Sequence, residues 1–476
     1  MPELVITIIF FTICFGQIWA LTRGRLTAVL YYICVATLSY FSFWMFVTWE
    51  PDRVCGALLV IGGFLLYRRP KGIPGRSRRS FFFFFAYVVG LTLVSSFFWP
   101  IEAMSGRSAA YGPLRVFVQI FNWAVIAGVA WQISLALREN NQFDKARRWF
   151  IALGMFHSAV ALYQVVAFWT GLPLTGIRRV AVGVGLNFND PHLAIATIGD
   201  LALYRATSFV GEPRSLAAAS MLWIAGLFTL YAEGRSNGRT HLAMLLSLLV
   251  LGMTLSTSGW GGFFLCLTLA GYLASTQRKW RLGGFFALSL FMGLLLAVDS
   301  VGWMPEQLSL KTVFEERWTG RIGQSLSDLP VEETLNVLST HPLFAVFGAG
   351  AGGMSFYIAQ NLGGYDMILA STVGIVNLIG DLGFVGLFIM LIAIRGGIRN
   401  LLFHRSAQDD LCRRLSFMGC VFLCQSLIYA PSYILSASIG FLLASQFRSQ
   451  AIDAYHIFIN KTPQAIVAET SRAHSY

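Results

Sequence analysis

Only 12% of the residues are charged, so the few ionisable clusters set beside apolar runs carry most of the chemical information in this chain. In RATSFVGEPRSLAAAS, Arg205, Glu212 and Arg214 fall close together at the entry to such a run. A planar guanidinium matches phosphate oxygens bidentately, and a carboxylate near it can orient or deprotonate a hydroxyl. Glu212 is therefore the first base candidate; the other reading of the same residue is a first-turn carboxylate on the helix that Pro213 opens. Arg178 and Arg179 in TGIRRVAVG, and Arg317 and Arg321 in LKTVFEERWTGRIGQSL, join Arg205 and Arg214 as candidates for diphosphate or saccharide hydroxyls. Arg317 and Arg321 stand four apart, where like charges repel, so an anion between them would relieve the conflict; two solvated arginines are the alternative. His341, at the end of DLPVEETLNVLSTHP, reads as a helix-end cap or as a base and donor near neutral pH. Asp381 lies inside an apolar run, where ionisable groups are usually paired and functional; a hydrogen bond to a helix-junction Ser and a substrate contact are both open. His157 and Gln164 read as satisfied polar groups between helices.

These residues need a frame to hold them, and composition names it. With 56% hydrophobic residues and 40 Phe, the chain is a polytopic membrane protein. Apolar runs fall near 3–22, 27–49, 54–67, 80–99, 113–137, 150–171, 214–232, 241–257, 259–276, 282–299, 371–394, 415–430 and 431–447. The expected fold is all-α, one integral membrane domain of about 12 to 14 transmembrane helices, each needing about 20 apolar residues. MPELVITIIFF lacks a basic n-region and reads as a retained first helix.

Lys and Arg are retained in short cytoplasmic loops, which fixes an orientation. With the N-terminus outside, the segments 23–26, 68–79, 138–149, 233–240, 277–281, 395–414 and the tail 448–476 are cytoplasmic, and they collect most of the 35 basic residues. The net charge of +12 is thus a topology signal, with attraction to anionic inner-leaflet lipid as a by-product and no call for nucleic acid. Of the seven Cys, none lies in a long external loop; Cys420 and Cys424, one turn apart, lack the further ligands of a zinc site. No metal or cofactor is expected.

Two connections, about 172–213 and 300–370, exceed the usual ~12 to 15 residues and fall outside. In the second, Phe314, Trp318 and Ile322 recur every four residues as on an amphipathic helix. Another helix follows, with Pro330 in its first turn, Glu332 and Glu333 near its positive end, and Val331, Leu335 and Leu338 on one face. After His341, Gly348, Gly350, Gly352 and Gly353 in HPLFAVFGAGAGG allow backbone amides to converge on an anion; a flexible loop is the plainer reading, because no Walker pattern is present.

These stretches carry a resemblance. SFVGEPRSLAAAS, MTLSTSGWGGF, HPLFAVFGAGAGG and VNLIGDLGFVGLFIM, in that order over roughly 205–390, resemble motifs of the bacterial O-antigen polymerase and O-antigen ligase superfamily. The resemblance implies a metal-independent glycosyltransferase of the bacterial inner membrane, active on the periplasmic side. Its donor and acceptor would be oligosaccharides linked to undecaprenyl diphosphate, polymerised into O-antigen, capsule or exopolysaccharide, with a chain-length regulator as a further partner. It also implies external arginines and, in ligases, a His at the site. Ligases carry an HN pair about eleven residues before the Gly of the closing helix, and Thr372 and Val373 stand there instead, which favours a polymerase. Beside it stand three alternatives: an O-antigen ligase, a metal-dependent transferase using Glu50 and Asp52, and a flippase or transporter of lipid-linked saccharide.

Overall fold

The computed structural model describes residues 2–38, 41–44, 48–49, 51–67, 75–103, 112–172, 180–182, 195–198, 201–210, 213–274, 329–362, 373–403, 410–429 and 432–473. Within a bilayer every backbone polar group must be satisfied inside the protein, and long apolar runs do this by closing their own helical hydrogen bonds. Among the described residues fifteen helices result: α1 (Pro2–Arg23), α2 (Arg25–Leu38), α3 (Pro51–Leu66), α4 (Gly75–Ser96), α5 (Gly112–Ala136), α6 (Asn140–Thr170), α7 (Pro213–Ala232), α8 (Gly238–Met253), α9 (Thr257–Ala274), α10 (Leu329–Thr340), α11 (Pro342–Phe347), α12 (Met354–Asn361), α13 (Gly374–Phe403), α14 (Asp410–Ile428) and α15 (Ser432–Ala473). Among the described residues, six helices are long and apolar enough to cross a membrane, and four shorter ones are apolar. The surface fits that setting: Phe83, Phe388 and Leu65 lie 63%, 64% and 79% exposed, as side chains do that face acyl chains instead of water.

Two apolar runs fold differently from expectation. The run 27–49 stops being helical at Leu38, and Phe41–Trp44 forms a strand, β1, antiparallel to Thr48–Trp49, β2, and parallel to Val180–Val182, β3. Aromatic residues in an FSFW and TW pattern fit a pleated surface, and this stretch lies past the C-terminal end of α2. A second short pair joins Ile195–Ile198 to Leu201–Tyr204. The last run continues past 447 as one helix through Ala473, so the tail extends α15. The run 282–299 and the pattern at Phe314, Trp318 and Ile322 lie outside the described residues.

Without a water-driven force between helices in lipid, small and polar residues hold them together. Ser445 of α15 does so at a three-helix junction: its Oγ donates to the Cys412 carbonyl at 2.8 Å, and Asn400 Nδ2 donates to it at 2.9 Å. One end of the bundle is closed by ions. Glu233, after α7, pairs with both Arg147 of α6 and Arg414 of α14, and Arg147 also reaches Asp144 at 2.8 Å. Arg147 and Glu233 side chains are only 3% and 8% exposed, and the guanidiniums of Arg147 and Arg414 also lie over the Phe143 ring. The network gathers three segments that the charge pattern assigns to the cytoplasmic side, 138–149, 233–240 and 395–414, at one end of the bundle.

Candidate functional site

At the opposite end, α13 breaks. Gly383 has φ 65° and ψ 176° inside the helix, a conformation that leaves the neighbouring carbonyls without helical partners. The Tyr87 hydroxyl sits within hydrogen-bond distance of one of them, Leu382 O at 3.2 Å, and of Phe347 O at the end of α11 at 2.9 Å. The glycine loop after α11 packs directly against this break, with the Ala349 amide donating to Gly380 O at 2.8 Å.

The amides of Gly348, Ala349, Ala351, Gly352 and Gly353 are spent inside the protein, so the loop does not present them as an open nest for an external anion. Gly348 N–H goes to Phe344 O, Gly353 N–H to Gly350 O, and Ala351 N–H to Thr92 Oγ1 at 3.1 Å. Gly352 N–H donates to the Asp381 carboxylate, so the anion this loop holds is the protein's own. Gly352 has φ 70°, and a Cβ there would stand 2.7 Å from Gln119 Cδ, so only glycine brings this amide to the aspartate without strain. Aromatic side chains fix the loop from outside. Trp99 Nε1 donates to Ala349 O at 2.8 Å and its ring stacks on Phe356, while the Tyr357 hydroxyl donates to Phe98 O at 2.9 Å. Burial pushes the Tyr357 phenol above its usual pKa, which keeps it a donor.

Asp381 also interacts with Arg115 of α5, whose Nη2 donates to Ser355 Oγ at 3.2 Å and whose guanidinium lies 5.0 Å from the centre of the Phe356 ring. Asp381 lines a cavity of about 220 Å³ between α2, α3, α5, α13 and α15, together with Asp52, Arg53, Gln119, Asn122 and Asn377. All of these lie in helix halves assigned to the outer side. The volume is below the ~300 to 1,000 Å³ of drug-sized sites, so it admits one reacting group and not a whole oligosaccharide.

The residues singled out by sequence separate into distinct places. Asp381 is in the cavity, and its partners are the Gly352 amide and Arg115, not a helix-junction serine. Arg205 is not part of the cavity wall: it is 9% exposed, and its Nε donates to Thr254 O at 3.0 Å, past the last turn of α8. A cation there complements the helix dipole and a terminal carbonyl, which accounts for its position without a diphosphate. Arg214 is half-buried in the first turn of α7 and pairs with no described residue. His341 occupies the N-cap position of α11 with no side-chain cap hydrogen bond; its ring is exposed beside Phe344 and Tyr357, and it does not line the cavity. Glu212, Arg178, Arg179, Arg317 and Arg321 lie outside the described residues. On α10 the buried side chains are Val331, Thr334 and Val337, whereas Leu335 is 47% exposed and Leu338 is partly covered. Val337 belongs to the cluster around Trp99 and Phe356, with Leu338 partly buried against it.

His157 and Gln164 are buried between helices, but their hydrogen bonds go to the segment before Glu212, and His157 Nε2 has no hydrogen-bond partner among the described residues. His157 Nδ1 lies 2.9 Å from Ser208 Oγ, and Gln164 Oε1 accepts from Ser208 N–H at 2.7 Å while its Nε2 donates to Ser208 O at 3.2 Å. Ser208 has φ 51°, a costly conformation for a residue with a Cβ, and these contacts over-determine it.

Arg115, Gln119 and Asn122 carry a signal that the sequence reading passed over. They recur at helical spacing in RVFVQIFNW, a polar stripe along an otherwise apolar helix, and Asn377 and Asp381 repeat the pattern on α13. No protein-family model matches the chain, and no curated protein matches it.

Proposed function

We propose that this protein is a membrane glycosyltransferase that polymerises undecaprenyl-diphosphate-linked oligosaccharide repeat units into a surface polysaccharide at the outer face of a bacterial inner membrane. The observation that carries the reading is the small polar cavity in which Asp381 and Asp52 meet Arg53, with Arg115 beside Asp381. Glycosyl transfer from a diphosphate needs these groups. The bond from the anomeric carbon to the diphosphate oxygen breaks, the acceptor oxygen bonds to that carbon, and the acceptor proton passes to a carboxylate. Asp381 is the assigned base, because it lines the cavity and the Gly352 amide and Arg115 fix the position of its carboxyl group. Arg53 is assigned to the diphosphate, whose negative charge grows as it leaves. Glu212, Arg214, Arg317 and His341 remain candidates for guiding saccharide along the external loops, and a chain-length regulator remains the proposed protein partner.

A second reading is a transporter or flippase of lipid-linked saccharide. The break of α13 directly after Asp381 favours it, since discontinuous helices with ionisable residues mark substrate sites in transporters. Purified protein in detergent, given lipid-linked repeat units and EDTA, separates the two. A ladder of polymer is the expected result; no ladder, with transbilayer movement of the lipid in proteoliposomes, would leave the transporter.

A further inference from the structure

The second large cavity lies at the other end of the bundle, where α4, α13 and α15 diverge. It measures about 840 Å³ and is lined by Ser77 and Ser80 in the first turns of α4, Arg395 and Arg399 on α13, and Gln446 of α15. Leu391 and Ile392 continue its wall one turn deeper into the bilayer, and both are exposed, at 43% and 37%. Arg395 and Arg399 stand one turn apart on the same face, where their charges repel, and neither pairs with a described residue. The amide end of α4, the positive end of its dipole, opens into the same groove. Gln446 is 6% exposed, and its Oε1 has no hydrogen-bond partner among the described residues although its amide nitrogen donates to Ser77 Oγ.

We infer that this groove binds one anionic phospholipid of the cytoplasmic leaflet, its phosphate between Arg395 and Arg399 and an acyl chain along Leu391 and Ile392. An anion between the two guanidiniums relieves their repulsion and completes the positive helix end. A hydroxylated headgroup such as phosphatidylglycerol would also give Gln446 Oε1 a donor. The order of the groove, cationic at the membrane boundary and apolar further in, matches the order of a phospholipid and not of a free ion. The inference rests on the cytoplasmic assignment of the 68–79 and 395–414 turns and is independent of the reaction.

The test is lipid retention by the full chain in detergent, read by native mass spectrometry and by the lipid-dependent shift in melting temperature. Phosphatidylglycerol, phosphatidylcholine and inorganic phosphate serve as separate probes. The wild type is expected to retain phosphatidylglycerol over phosphatidylcholine. The double variant Arg395→Gln with Arg399→Gln is expected to lose about thirtyfold in apparent affinity, from roughly fivefold per arginine at an anionic surface. Arg395→Lys with Arg399→Lys should keep most of the preference, and unchanged melting of both variants without lipid shows that they fold. Equal retention of both lipids, undiminished binding by the double Gln variant, or full competition by millimolar inorganic phosphate would each overturn the inference.

Discussion

Replacing Asp381 by Asn is expected to lower polymer formation per unit of membrane-inserted protein by about 10²- to 10⁴-fold, the usual loss when a general base is removed. The substitution isolates charge from shape. Asn keeps an oxygen that can accept the Gly352 amide, so the glycine loop retains its anchor on α13, but it cannot take a proton and no longer offsets Arg115. Expression and melting temperature in detergent should therefore stay near wild type. A variant that folds and polymerises normally would remove Asp381 from the reaction and return the base to Glu212 or His341. Asp381→Glu is expected to recover only part of the activity, because the longer side chain keeps the charge but shifts the carboxylate in a cavity of about 220 Å³.

The largest effect on stability is expected at the other end of the bundle, from Glu233→Ala. Glu233 is the shared countercharge of Arg147 and Arg414, and Arg147 is only 3% exposed. Breaking a buried ion pair from one side costs about 3 to 5 kcal/mol, because the remaining charge stays buried without its partner. Asp144 still reaches Arg147 at 2.8 Å, so the lower part of that range, about 3 kcal/mol, is expected. Thermal unfolding in detergent measures it. Replacing Glu233, Arg147 and Arg414 together by Met should recover much of the loss, since well-packed apolar side chains often match a buried ion network. A single Glu233→Ala variant as stable as wild type would show that Glu233 is not the countercharge of either arginine.

Much of the frame was legible in the residues. Apolar runs long enough to span a bilayer close their own hydrogen bonds as helices, and α5, α7, α8 and α9 begin and end within a few residues of their runs, whereas α6, α13 and α15 extend well beyond theirs. The run 27–49 misled because hydropathy does not distinguish a helix from a strand, and FSFW pairs with Val180–Val182 instead. On α10, Val331, Leu335 and Leu338 share a helical period, but which side is buried is decided by where Trp99 and Phe356 lie, which the local sequence does not contain.

The candidate site was only partly legible. Asp381 stood out as a carboxylate in an apolar run, yet its partners come from residues 115 and 352, brought to it by tertiary packing. Arg205 attracted attention as a charge beside an apolar run, but one hydrogen bond to Thr254 O shows that such a charge can serve a helix end. Asp52 and Arg53 precede the apolar run 54–67; the start of α3 carries them into the wall of the cavity.

The most direct measurement of the central claim is photocrosslinking of a lipid-linked repeat unit that carries its photoreactive group on the sugar next to the diphosphate. In membranes containing the wild-type protein, crosslinks are predicted at peptides holding Asp52 and Asn122 and at the Asn377 to Asp381 segment, reduced by excess unlabelled donor. Donor-dependent crosslinks confined to other surfaces, with none on those three peptides, would contradict the assignment of the outer cavity as the site of glycosyl transfer.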